Sequence, residues 1–248
     1  MKTKALPLTL LALTIALLAS FAYAPANACD KCKKHNPVST EDHGEDHVGD
    51  DHGHEHPDEK DGFTTILGPG HTKGWTLVDD WMKIEDGVII AGSMDKAIPK
   101  TMYAVHEKEY YNFELRAQAK AEGPEKTNGG FQIRSSFNKE KGSMHGYQAD
   151  MGFKYWGLIY DQGRRNSLLT KLPEEIDLKK DINWGEWNDY VVRCEGPRIR
   201  VWINGKLFSD YTEKDEKIAK VKGVIGLQMH GGPASIRYYR NIRIKELD

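Results

Sequence analysis

Beyond residue 28 the chain has no apolar run long enough to cross a bilayer as a helix, which excludes a helical membrane protein. It has no long basic stripe and no basic-aromatic cluster, which argues against a nucleic-acid partner. No sustained helical apolar period appears, which argues against a helical fold. Cysteine is scarce, at three residues: Cys29, Cys32 and Cys194. Cys29 and Cys32 form Cys-x-x-Cys, but Lys33 stands where haem attachment needs histidine, so that chemistry is excluded. A disulfide or a pair of metal ligands stays open for these two in an oxidising compartment. Cys194 falls in an apolar strand and reads as a buried, inert thiol.

What is present at the start reads as an export signal. Lys2 and Lys4 supply the positive segment, Leu6–Ala22 is apolar and uncharged, and Ala26-Asn27-Ala28 offers small residues for cleavage. Residues 1–28 are the expected leader, and the mature protein is expected outside the cell, in the periplasm or on the envelope. Cys29 follows the cleavage site directly. A lipid anchor on Cys29 and simple secretion are both open, because Ala26 stands where a lipoprotein signal usually has leucine.

Residues 29–62 change character. The stretch 35–62 holds ten acidic residues, one lysine and almost nothing apolar, a net charge of −9 with histidine neutral. Such a composition cannot bury a core and predicts a disordered linker. His43, His47, His52, His54 and His56 among the carboxylates are ligand chemistry for zinc, nickel or copper. Metal capture and a solvated spacer are equally open. The whole-chain charge of −2 belongs to this segment, since residues 63–248 come to +3.

From Phe63 onward the pattern has period two, with turn signals between short runs. Asp86-Gly87 between Ile84 and Val88 predicts one hairpin, and Asn204-Gly205 after Arg198–Ile203 predicts another. Further strands are expected at Tyr111–Ala121, Gly130–Phe137, Gly146–Met151, Trp156–Asp161, Trp187–Cys194, Gly223–His230 and Ser235–Leu247. A helix is conceivable within Leu172–Lys180. Many short strands with glycine-rich turns argue for an all-β fold, a two-sheet antiparallel jelly roll or β-sandwich over residues 63–248.

Alternation also places polar groups together. Gln132 and Arg134 share a face of their strand, Gln148 and Asp150 share another, and Gln228 and His230 a third. These types donate, accept and titrate, whereas the solvated faces of this chain carry lysine and glutamate. Tyr147, Trp156, Tyr160 and Trp202 accompany them. Rings that cover apolar sugar faces, beside groups that bond hydroxyls, are what a carbohydrate cleft requires.

The motifs Gly74-Trp75, Phe113-Glu114-Leu115-Arg116, Asn128-Gly129-Gly130, Arg134, Gly146-Tyr147-Gln148-Ala149-Asp150 and Trp156-Gly157-Leu158-Ile159-Tyr160-Asp161 follow one another. Trp187-Asn188, Trp202-Ile203-Asn204-Gly205, Gly226-Leu227-Gln228-Met229-His230 and Arg240-Asn241-Ile242-Arg243-Ile244-Lys245-Glu246-Leu247 continue the series. In this order they resemble the 3-keto-disaccharide hydrolase domain family. The resemblance implies a concanavalin A-like fold and action on glycosides oxidised at C3 of the sugar. It departs from the family at Gly129, where many relatives have serine, and at Gln148, where many have glutamate.

Such chemistry needs a base for the C2 hydrogen and donors for an enolate oxygen at C3. His230 is the first candidate base and Asp150 the second, with Tyr160 as proton donor to the leaving group. Arg134, Gln148, Gln228, Asn128, Gln132 and Trp156 are expected to bind substrate. Arg164 and Arg165 cap the cleft, bind an acidic substituent of the substrate, or form a solvated turn. A divalent metal on His230 and Asp150 is an alternative way to polarise the ketone. A non-catalytic carbohydrate-binding module of the same fold is the competing reading.

Overall fold

The computed structural model describes residues 61–78 and 80–248. The leader, the Cys29–Cys32 pair and the five linker histidines lie outside the described residues. In chain order the first strands are β1 (Thr64–Leu67), β2 (Trp75–Thr76), β3 (Met82–Glu85), β4 (Val88–Ser93), β5 (Met102–Tyr110), β6 (Phe113–Glu122) and β7 (Gly129–Asn138). There follow β8 (Ser143–Met151), β9 (Ile159–Gln162), the single helical turn α1 (Leu178–Asp181), β10 (Asn188–Glu195), β11 (Arg198–Ile203), β12 (Lys206–Thr212), β13 (Gly223–Met229) and β14 (Ser235–Glu246). They form two antiparallel sheets, as the alternating pattern implies. The larger runs β12-β11-β10-β6-β14-β4-β3 with β1 also on β14, and the smaller runs β2-β5-β13-β7-β8-β9.

The hairpin signals act through backbone chirality. Asp86 and Gly87 have φ of 48° and 75°, and Asn204 and Gly205 have 50° and 80°. Two successive positive φ values make the turn whose twist matches the flanking strands. At position 87 a Cβ would fall 2.2 Å from the Gly68 carbonyl carbon, so the close approach also demands glycine. The suspected helix shrinks to α1, one turn capped by the Asp177 carboxylate on the Lys179 amide. A turn this short has little stability of its own.

The core lies between the sheets. Phe131, Ala149 and Leu227 from the smaller sheet meet Leu115, Tyr190, Val201 and Tyr239 from the larger, all essentially inaccessible. Phe131 packs across the gap with ring centroids 5.0 Å from Tyr190 and 5.3 Å from Tyr239. Cys194 is fully buried, and burial pushes its thiol up to about 12, where almost no thiolate exists. With these residues facing inward, alternation turns Gln148, Asp150 and Gln228 to the other face of the smaller sheet.

Candidate functional site

That outer face carries a cleft of about 450 Å³. Strand register explains its composition. Tyr103 on β5 pairs with Gln228 on β13, Gln228 with Gly130 on β7, and Gly130 with Asp150 on β8. In the neighbouring row, Gln132 pairs with Gln148, and Gln148 with Tyr160 on β9. Gly130 leaves the centre open. Its φ is 145°, and a Cβ there would lie 2.5 Å from the Ala149 oxygen and 3.1 Å from Gln148 Nε2. Gln148 and Asp150 can close over the strand only because no side chain stands between them.

Hydrogen bonds run in one direction toward Asp150. The Ser135 hydroxyl donates to Gln132 Oε1 at 2.9 Å, and the Gln132 amide donates to Gln148 Oε1. Gln148 Nε2 donates to Asp150 Oδ1 at 2.5 Å. Gln148 and Gln228 also exchange a reciprocal amide pair at 2.8 and 3.1 Å. A chain polarised this way fixes each amide's orientation. Asp150 is 4% exposed, and burial pushes its carboxyl well above its ordinary value of 3.8, against the opposing Gln148 bond. Tyr160 is pushed up by burial first and then by the Asp150 and Asp161 charges.

His230 stands at the rim, exposed, one residue past β13. Its Nδ1 lies 2.6 Å from the Gly231 carbonyl oxygen. A carbonyl only accepts, so Nδ1 is the donor and Nε2 is the nitrogen that can present a lone pair to the cleft.

Of the residues expected from sequence, Asn128, Gln148, Asp150, Tyr160, Gln228 and His230 line this cleft. Gln132 lies against it, fully buried behind Gln148. Four others do not reach it. Arg134 sits in a bulge of β7, with register shifted between Ile133 and Ser136 and φ of 48°. The bulge breaks the alternation with Gln132. The buried guanidinium donates instead to Tyr111 O at 3.0 Å, to Gly196 O and to Asn112 Oδ1 at 3.2 Å. Trp156 is 2% exposed and packs in the core against Tyr190. Arg164 and Arg165 do not line the cleft; they lie in a surface turn in which Arg165 is exposed, as the solvated reading has it. Both bond the buried Asp161 carboxylate, Arg164 also reaches Ile218 O at 2.5 Å, and Arg165 also pairs with Glu213. Of the accompanying aromatics, Tyr147 is core with its hydroxyl on Glu213, and Trp202 belongs to the larger sheet.

Sequence reasoning missed Thr101, Tyr155, Gln162, Asn166, Ser167 and Leu168, which complete the lining. Gln162 was findable, two residues from Tyr160 on the same face; the others lie in connections or at strand ends where no periodicity speaks. It also missed two supports beneath the cleft, Arg237 and Tyr239. The Tyr239 hydroxyl donates to Gln228 O at 2.7 Å and accepts from the Gly130 amide at 3.1 Å.

Among the described residues no three His, Cys, Asp or Glu side chains gather at one point. A cation on Asp150 and His230 would need the amide oxygens of Gln148 and Gln228, and both already accept hydrogen bonds. The donor set therefore does not fit a metal, and no step below uses one. A hollow of about 490 Å³ on the larger sheet is bordered by Arg116, Gln118 and Asp189, whose polar atoms bond neighbouring side chains.

The fold and site define a class, a two-sheet jelly roll with a carboxyl- and amide-lined cleft on the outer face of one sheet. The family model described as the 3-keto-alpha-glucoside-1,2-lyase-like domain matches residues 62–245, and the chain belongs to that family. Membership gives the protein a carbohydrate-related function. Two proposed glycosyl hydrolases from Parabacteroides distasonis share its fold. One is 19% identical with a TM-score of 0.55, covering 77% of this chain and 96% of its own. The other is 22% identical with a TM-score of 0.54, covering 75% and 99%. A Bacillus subtilis protein of unknown function with a galectin-like fold is 10% identical with a TM-score of 0.55, covering 74% and 94%. No curated protein matches the chain.

Proposed function

We propose that the protein cleaves 3-keto-glycosides by base-assisted elimination followed by hydration. The carrying observation is that one cleft holds a histidine whose Nε2 can present a lone pair and a carboxyl that burial favours in its protonated form. A carboxyl that burial keeps protonated can act as the acid, and an imidazole nitrogen with a lone pair facing the same cleft can act as the base.

In this reading His230 Nε2 takes the proton from C2, which the C3 ketone acidifies. The C2–H electron pair forms the enolate, and its charge develops on the C3 oxygen. The protonated Asp150 and the amides of Gln228 and Asn128 donate to that oxygen. The enolate then reforms the ketone, C1=C2 forms, and the C1–O bond breaks with its electrons on the leaving oxygen. Tyr160, whose raised pKa keeps it protonated, gives that oxygen a proton. Water adds across C1=C2 in the second step. The leader expected from the sequence motivates placing this chemistry outside the cytoplasm, and N-terminal sequencing of the mature protein checks cleavage after Ala28.

Sugar binding without chemistry is favoured by one feature, the amide-rich floor. Product analysis separates the two. The purified full chain is given a 3-keto-glucoside, with the parent glucoside as control. Aglycone released from the keto sugar alone, and lost in His230→Gln with binding retained, supports elimination. Binding without release by the wild type supports the module.

A further inference from the structure

β14 belongs to the larger sheet, yet three successive core-facing positions on it are polar: Ser235, Arg237 and Tyr239, none more than 1% exposed. Beyond the bulge at Asn241 the same face returns to Ile242 and Ile244. A buried guanidinium is costly unless every donor is matched. Arg237 is not matched by a carboxylate among the described residues. Its Nε donates to Asn128 O at 2.7 Å and its Nη2 to His230 O at 3.4 Å, while Nη1 meets Ser235 Oγ at 3.0 Å and Ser235 O at 3.4 Å.

Those first two carbonyls stand at special places. Asn128 precedes β7 and His230 follows β13, where each chain leaves the ladder and turns its side chain into the cleft. The His230 amide bonds the same Asn128 oxygen at 3.3 Å. The fork of Arg237 thus clips two strand ends together from beneath the floor. Burial brings its pKa down to about 10, so it stays cationic at neutral pH.

We propose that Arg237 is a positioning residue for the cleft, one that fixes His230 and Asn128 through their backbone carbonyls and holds an uncompensated positive charge behind them. This rests on the elimination reading above. The charge favours an oxyanion forming on the cleft side. An apolar residue of similar length fills the same space and supplies neither effect. Lysine supplies the charge but not the fork.

The test compares wild type, Arg237→Gln and Arg237→Lys in the full chain by three measurements: turnover of a 3-keto-glucoside, melting temperature, and the NMR positions of the Asn128 and His230 backbone amides. In Arg237→Gln, kcat falls about 100-fold, as displacement of a reacting group does. KM stays within about threefold, and both amide resonances move. In Arg237→Lys, kcat falls about tenfold for the lost fork. Unmoved Asn128 and His230 amides in Arg237→Gln overturn the proposal, as does wild-type kcat in Arg237→Lys. A lowered melting temperature with kcat intact shows a purely structural arginine and overturns it too. If Arg237→Gln does not fold, the lysine variant alone decides on kcat. If wild type releases nothing from any keto sugar, the elimination reading fails, and the amide positions still judge Arg237.

Discussion

Replacing Asp150 by asparagine is expected to stabilise the protein while stopping its chemistry. The carboxyl is 4% exposed, and its one side-chain donor is Gln148 Nε2 at 2.5 Å. Its remaining lone pairs face a desolvated floor, a deficit worth about 1–3 kcal/mol for a buried polar group. Asparagine keeps the shape and still accepts from Gln148 but never ionises. The sign follows from linkage. The unfolded carboxyl titrates near 3.8 and the folded one well above it, so the favourable protonated state is present at low pH and its benefit is lost as pH rises through the folded pKa. The variant escapes that loss. At neutral pH the melting temperature therefore rises by ~3–9 °C, and the gain fades toward pH 4. Thermal scans from pH 4 to pH 8 on both proteins check this, with aglycone release measured in parallel. Activity should fall at least about 100-fold with the donor to the enolate weakened. A variant less stable by the same amount at every pH would refute the buried-carboxyl argument.

Two further substitutions separate structural arginines from substrate binders. Arg165→Met leaves Asp161 and Glu213 with one guanidinium fewer, and urea denaturation at pH 7 should show a loss of about 3 kcal/mol. Burial raises the Glu213 pKa, but Arg165, the Asp215 amide and the Tyr211 and Tyr147 hydroxyls more than offset this and hold it at about 2. Its contribution is complete above pH 4.5 and lost as pH falls toward 2, so the two stability curves should converge across that window. Arg134→Met removes the guanidinium from Tyr111 O and Gly196 O, and leaves Asn112 Oδ1 only the Gly196 amide, at a cost of about 3 kcal/mol. Its KM for a keto-glucoside should remain within about twofold of wild type, which steady-state kinetics on the folded variant would measure.

The fold was legible because its signals are local. Asp86-Gly87 and Asn204-Gly205 are turn chemistry within two residues, and alternation along Arg198–Ile203 survives intact as β11. β5 escaped notice because Met102–Val105 is apolar on both faces and the rest is mostly charged, so no period-two pattern forms. The half of the site carried by undisturbed strands was equally legible, since Gln148 and Asp150 on β8, and Gln228 on β13, keep their alternation. Arg134 was misplaced because a bulge reverses its face, and no dipeptide announces a bulge whose left-handed residue is an arginine. Arg164 and Arg165 were misplaced because their distant partners, Ile218 O for Arg164 and Glu213 for Arg165, lie 54 and 48 residues onward, beyond any local pattern.

Arg237 shows the deeper limit. In Ser235-Ile236-Arg237-Tyr238-Tyr239, polarity alone turns the arginine outward and Ile236 inward. The fold does the reverse, because the carbonyls of Asn128 and His230 lie across the core and need donors. Backbone carbonyls at the ends of β7 and β13, with lone pairs left over by the ladder, thus dictate a side chain on β14 of the opposite sheet. That requirement has no sequence period, since it exists only once both sheets are assembled. Residues of this kind are where a cleft's geometry is fixed, and they are recovered by tracing which buried donors each strand-end carbonyl receives.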